Sequence, residues 1–315
     1  MVCAMQSTPF FVVNPHAASG RTLTLWKELR GALQEALGSV AYELTRGTMH
    51  AAELTAEALR KGFDLIIAVG GDGTLNEVLN GYFDAGQPRK QGAALGYMAS
   101  GTGSDFARTL GLYGLSVQEQ VERLRNGRTR LLDCGQVRFL GSGPQPRETS
   151  RLFLNESSIG FSAETVNNVN RASKRFGGKA SFFIGVLRTL SILHNPLLQV
   201  TIDGRQVHQG PTLLVAVANG RYFGGSMMIA PMADPQDGVF DIIVISAMTR
   251  LKLLQKIGKI YRGEHLGEPE VRVFRGQEVH ISSPTEEVLL EMDGEQPGRL
   301  AADFRISRQT VPFHC

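Results

Sequence analysis

Cysteine is scarce in this chain: Cys3, Cys134 and Cys315 stand alone among 315 residues, with no C-x-x-C pair and no histidine spaced for zinc. That argues against a disulfide framework or a zinc finger and fits a reducing compartment. No window approaches the ~18 uninterrupted apolar residues that a membrane-spanning helix needs. The first ten residues also lack the basic and apolar regions of an export signal, so a cytoplasmic protein is expected. An excess of one charge is missing too. The 33 Lys+Arg against 30 Asp+Glu leave a formal net charge of +3, too little to call for nucleic acid as a partner. There is no G-x-x-x-x-G-K-[ST] loop and no G-x-S-x-G elbow, and the run from Gly101 to Phe106 (GTGSDF) lacks the third glycine of a dinucleotide fingerprint.

What is present is an ordinary globular composition, 42% hydrophobic and 20% charged, in a chain long enough for two domains. The stretch from Val69 to Gly81 (VGGDGTLNEVLNG) departs most from the generic. It places three glycines around one carboxylate, between the apolar run 64–69 and a helix on which Leu75, Val78 and Leu79 share a face. Thr74 is expected to cap that helix and Gly81 to end it. A glycine-lined turn at a helix N-terminus suits phosphate, and Asp72 then requires a cation such as Mg2+ between the two. Further strand-to-helix alternation covers 10–37, 40–61 and 93–108, as in a parallel α/β layer with its loops gathered at one edge. From about Asp133 strand candidates at 151–155, 198–202, 213–218, 239–245, 271–274, 278–281 and 288–292 predict a β-sandwich-like domain. Helices are expected at 166–193 and 250–261.

The runs 70–77 (GGDGTLNE) and 101–108 (GTGSDFAR), Asn14-Pro15 before a small-residue loop, and 293–295 (DGE) resemble the diacylglycerol kinase catalytic family, which includes the sphingosine kinases and bacterial soluble lipid kinases. The resemblance covers nearly the whole chain in order. It implies an α/β nucleotide-binding domain over 1–132, a larger β-rich lipid-substrate domain over 133–302, a tail from about 303 to 315 that returns to the first domain, and ATP in the cleft between them. Carried over by position, Asn14, Gly20, Thr45, Gly71, Gly73, Thr74, Gly101, Thr102 and Gly103 would contact the nucleotide. Asp72 would order the catalytic Mg2+, and Glu295 would be the general base with Asp293 beside it. A structural Mg2+ would take Asp234, Asp237 and the Val239 carbonyl. Ser104 and Ala18 depart from the family pattern, which usually has Asn and often Gly there.

The expected activity is ATP-dependent, Mg2+-assisted phosphoryl transfer to a hydroxyl of a diacylglycerol-like membrane lipid. The alternatives are a kinase of NAD or another soluble substrate, or a nucleotide-binding regulator without catalysis. Blander readings stand beside the motifs: Asp293-Gly294 as a type I′ hairpin turn, and Asp234 to Gly238 as a surface turn. Arg171, Lys174, Arg175 and Lys179, near Phe176, Phe182 and Phe183, suit peripheral contact with an anionic membrane surface, or are a solvated face. A homodimer stays open.

Overall fold

The computed structural model describes residues 8–101, 103–142, 146–171, 190–191, 193–285 and 287–315. The chain divides into two compact units, Met1–Leu132 with Gln309–Cys315, and Asp133–Arg308. The return tail is therefore shorter than the 303–315 expected. Residues 303–306 complete the strand Glu295–Ile306, where Asp303 and Phe304 pair with His280 and Val279 of the second unit.

The first unit is built on a six-stranded sheet in the order Ala41–Leu44, Pro9–Val13, Leu65–Gly70, Ala94–Ala99, Val311–His314, Thr129–Leu132. All neighbours are parallel except the last pair. Leu65–Gly70 is buried along its whole length, as a strand covered on both faces must be. Helix Arg21–Leu37 packs Trp26, Leu29 and Leu33 onto Phe11, Val13, Ile67 and Val69, and Gly38 closes it. Helix His50–Arg60 lies beside helix Asp72–Tyr82.

The glycine motif differs locally from the sequence reading. The helix begins at Asp72 with Gly71 as its N-cap, so Thr74 lies inside the first turn and is not the cap. Gly81 does not stop the helix either; it sits one residue inside the end, where a Cβ would lie 2.2 Å from the Ala52 carbonyl oxygen. Its glycine serves helix–helix approach.

The second unit is an antiparallel ten-stranded sheet. Its path runs Glu156–Gly160, Leu289–Met292, Glu295–Ile306, Glu278–Ser282, Leu197–Ile202, Arg205–Ala218, Phe240–Ser246, Val271–Gly276. Gly135–Gly141 and Glu148–Phe153 attach as a hairpin to Glu295–Ile306. The expected sandwich carries one further feature. Glu156–Gly160 also pairs with Arg205–Ala218, which closes the first six strands of that path into a ring. Closure leaves no free edge in that part of the sheet. Ile159, Val200, Val215, Ile281 and Leu290 belong to one buried cluster, and Ile243 and Ile245 to another, with Leu253.

Helix Phe161–Arg171 begins earlier than expected; residues 172–189 and 192 of the expected 166–193 helix, and the side chains of the basic and aromatic patch at 171–183, lie outside the described residues. The segment expected as one helix over 250–261 is an α-helix over Arg250–Lys256 that tightens to 3-10 over Ile257–Arg262. The residues 143–145 of the expected hairpin tip lie outside the description as well.

Gly81→Ala tests the helix contact. Overpacking against the Ala52 backbone should lower unfolding free energy by about 1–3 kcal/mol, read as a lower urea midpoint at unchanged m-value.

Candidate active site

In the first unit the C-terminal ends of four parallel strands bring the sequence-predicted residues to one edge. Asn14 follows Pro9–Val13, Thr45 follows Ala41–Leu44, Gly71 to Thr74 follow Leu65–Gly70, and Gly101 follows Ala94–Ala99 after one residue. Thr45 is buried and its amide donates to the Val13 carbonyl at 2.8 Å. Asn14 Nδ2 donates to Thr74 Oγ1 at 3.0 Å, which ties two of these loops together. Gly20 stands at the N-cap of the first helix. Gly73 lies in the first turn of its helix, and the Gly103 carbonyl accepts from Arg108 Nε at 3.4 Å. Thr102 lies outside the described residues.

The two glycine loops touch backbone to backbone. The amides of Ser100 and Gly101 both donate to the Gly70 carbonyl, at 2.9 and 3.2 Å. A Cβ on Gly101 would lie 2.9 Å from the Gly71 Cα, so a side chain there would push the loops apart. A Cβ on Gly71, by contrast, would meet only that same Gly101 Cα, at 3.9 Å. Such glycine-lined loops at helix N-termini fit a phosphate.

Asp72 is bound into this edge. Its carboxylate accepts from the amides of Asp105 at 2.7 Å and Phe106 at 3.2 Å, the first residues of helix Asp105–Leu110, and from Tyr97 Oη at 3.2 Å. Burial, reinforced by the nearby Asp105 charge, raises its pKa to about 7 against these hydrogen bonds. A carboxylate has about four acceptor positions, and three are engaged. The residues fit a cation held mainly through its waters, since two neighbouring carboxylates become easier to ionise together beside a positive ion.

In the second unit Asp293-Gly294 is the two-residue turn between Leu289–Met292 and Glu295–Ile306, with φ of 46° and 88°, as a type I′ turn requires. The Asp293 carboxylate is buried and accepts from the amides of Leu154, Asn155 and Glu156 at 3.4, 3.2 and 3.1 Å. These contacts lock the turn that leads into Glu295. Glu295 is partly exposed, and its Oε2 is 3.1 Å from Arg151 Nη1.

Two residues missed by the sequence reading stand beneath this turn. Glu156 and Glu291 are each 2% exposed. Glu291 Oε1 accepts from the Gly294 amide at 2.6 Å and Oε2 from Ser158 Oγ at 2.5 Å. Burial, then the Glu291 charge, holds the Glu156 carboxyl well above the usual range. The signal available was an acid within the apolar run Leu289 to Met292 (LLEM).

The residues expected to hold a structural metal lie in one turn. Asp234 accepts the Gln236 amide, and Asp237 accepts the Val239 amide while its other oxygen is ion-paired with Arg275. The Gly238 amide donates to Asp133 at 2.8 Å, and Gln277 Nε2 to the Gly238 carbonyl at 3.0 Å. Among the described residues no three His, Cys, Asp or Glu side chains gather to hold a metal ion. Asp234, Asp237 and Val239 thus share a turn in which the Asp237 carboxylate pairs with a guanidinium from the adjacent strand.

Comparison with known proteins assigns both units. Residues 8–137 match the diacylglycerol kinase catalytic domain, and residues 156–313 match the YegS C-terminal NAD kinase beta sandwich-like domain. The chain is 30% identical over 270 residues to a diacylglycerol kinase of Staphylococcus carnosus, covering 85% of this chain and 82% of that one. The chain belongs to the diacylglycerol kinase family. A diacylglycerol kinase of Bacillus subtilis is 29% identical over 297 residues, covering 93% and 91%. The fold is shared with a crystal structure of a diacylglycerol kinase from Bacillus anthracis, with a TM-score of 0.68 at 21% identity, covering 98% and 96%. Family membership makes the chain a phosphotransferase with ATP as the implied phosphate donor.

Two measurements test these assignments. Glu156 has a folded-state pKa above its unfolded one, so the native state binds the extra proton. Stability should fall as pH rises above the unfolded value of about 4.3, by up to about 1.4 kcal/mol per pH unit. Glu156→Gln should flatten that slope in urea titrations across pH. At the Asp237 turn, the wild type without nucleotide should melt at the same temperature in chelator and in Mg2+, whereas Arg275→Gln should lower Tm and let divalent ions restore part of it.

Proposed function

We propose that the protein transfers the γ-phosphoryl group of ATP to a hydroxyl of a diacylglycerol-like membrane lipid, working peripherally at a bilayer surface. The observation that carries the reading is the edge where Gly71 and Gly101 meet backbone to backbone beside the linked Asn14 and Thr74. Phosphoryl transfer needs positioning and charge neutralisation far more than covalent chemistry, and such an edge supplies both. The lipid acceptor is supported by the relatives, which are named diacylglycerol kinase across most of their length and of this one.

In this reading Asn14, Gly20, Thr45, Thr74 and the Gly101–Gly103 loop bind and orient the nucleotide phosphates. Asp72 and Asp105 would hold a Mg2+ ion accompanying ATP, whose chemistry is to offset charge on the transferring phosphoryl group. Glu295, held by Arg151, takes the proton from the lipid hydroxyl. Asp293 and Glu291 keep the turn before it rigid through their amide contacts.

Labelled ATP offered with diacylglycerol, phosphatidylglycerol and a sphingoid base in mixed micelles, and with NAD in solution, tests the acceptor. Diacylglycerol should be phosphorylated; phosphorylation of NAD alone would refute the proposal. Glu295→Gln should lower kcat by about 10²- to 10⁴-fold with ATP affinity little changed. Asp72→Asn should weaken use of Mg·ATP as well. Small and equal effects from both would remove the assigned roles.

A further inference from the structure

Residues Arg250 to Arg262 (RLKLLQKIGKIYR) contain five cations and no acid. The segment forms the helix Arg250–Lys256 and the 3-10 turn Ile257–Arg262. Its inner side is accounted for: Leu253 is buried, and Ile257 and Ile260 pack with it against Ile243, Ile245 and Val271. The outer side is not. Leu251, one helical turn from Leu254, is 66% exposed, Leu254 is 52% exposed and Tyr261 is 48% exposed.

A neighbouring loop extends the same surface. The Met228 amide donates to the Ile260 carbonyl at 2.9 Å, and Pro231 lies so close to Gly263 that a Cβ there would come within 2.7 Å of its ring. This places the next residue, Met232, beside the segment, and Met232 is 75% exposed. Four large apolar side chains thus stand exposed around a basic segment. An apolar face bordered by Lys and Arg is the pattern of elements that lie in the interface of an anionic bilayer.

The charges need their own account. Lys252, Lys256 and Lys259 pair with Glu268 and Glu270, and Arg262 with Glu264. Five cations against these three carboxylates leave a positive excess, with Arg250 at the exposed start of the helix. The Arg262–Glu264 pair is exposed on both sides and such pairs contribute only about 0–1 kcal/mol, so lipid phosphates can compete for Arg262 as well as meet Arg250. Each basic residue near an anionic headgroup layer is worth about 1 kcal/mol.

We propose that this surface, Leu251, Leu254, Tyr261 and Met232 with the surrounding cations, docks the protein onto anionic phospholipid bilayers. The apolar side chains enter the headgroup boundary and the cations meet lipid phosphates. The proposal rests on the lipid-kinase reading for its purpose, since the substrate must be taken from a bilayer. Its physical content is binding and is measured without turnover.

The experiment is co-sedimentation of the full chain with phosphatidylcholine vesicles, with and without phosphatidylglycerol. Wild type should bind the anionic vesicles, and less at high salt. Leu251→Glu with Leu254→Glu should weaken binding by about tenfold or more, with Leu251→Ser and Leu254→Ser as a milder pair and the melting curve of each as a folding control. Arg250→Gln with Arg262→Gln should reduce the anionic preference. Absence of wild-type binding, or unchanged binding by both leucine pairs, overturns the proposal. So does a size-exclusion shift from dimer to monomer in the leucine variants without loss of vesicle binding, which assigns the surface to a second copy of the chain. Phosphorylation of a short-chain diacylglycerol in detergent should be untouched in these variants. Its absence in wild type would defeat the kinase reading and leave the docking result standing.

Discussion

A backbone-to-backbone approach sets the geometry of the first unit. Gly101 passes so near Gly71 that a methyl group would lie 2.9 Å from its Cα, and the Gly70 carbonyl receives two amides from the second loop. With the loops that close, helix Asp105–Leu110 starts where Asp72 can accept its first two amides. The carboxylate therefore does two things at once. It caps a neighbouring helix, and it stays beside the glycine edge, poorly solvated and next to Asp105. That environment, not the motif itself, moves its pKa to about 7. A cation there would stabilise the charged form.

The second unit places its acids by the opposite logic. Its antiparallel strands close into a ring, and at the type I′ turn of Asp293 side chains stand in for backbone partners. Asp293 takes the amides of Leu154 and Asn155, in the break after Glu148–Phe153, and of Glu156, the first residue of the next strand, and Glu291 takes the Gly294 amide. Loss of the Asp293 carboxylate would leave the buried amides of Leu154, Asn155 and Glu156 without this acceptor, at about 1–3 kcal/mol each. The positional precision of Glu295 depends on these neighbours.

Legibility followed the type of constraint. Parallel strands such as Leu65–Gly70 announce themselves as apolar runs, and the loops at their ends could be named residue by residue. Helix ends were harder, because glycine signals both termination and close packing; Gly81 does the second. Glu156–Gly160 went unread because its small polar residues have no alternation, and its place comes from pairing on both sides. The Asp234–Val239 turn shows the limit of local spacing. Its residues match a metal loop in order, and nothing in that order announces that Asp237 also pairs with Arg275, 38 positions away in sequence. The outer apolar face at Leu251 and Leu254 was equally silent, because sequence periodicity marks an apolar position without telling which side the fold covers.

The two departures from the family pattern acquire a different meaning in three dimensions. Ala18 stands where glycine is common, and its φ of 52° is the left-handed conformation that glycine favours. Ser104 stands where asparagine is usual, and its φ of 47° is likewise left-handed, a region asparagine tolerates well. Each residue therefore holds a left-handed backbone, against a cost of about 1–2 kcal/mol. At Ser104 the hydroxyl offsets part of it by donating to the Gly101 carbonyl at 2.9 Å. The loop path survives the substitution, and only the amide donor of an asparagine is lost. The contacts of Ser100 and Gly101 to the Gly70 carbonyl are made with serine at 104, so the departure removes a side-chain donor without opening these two contacts.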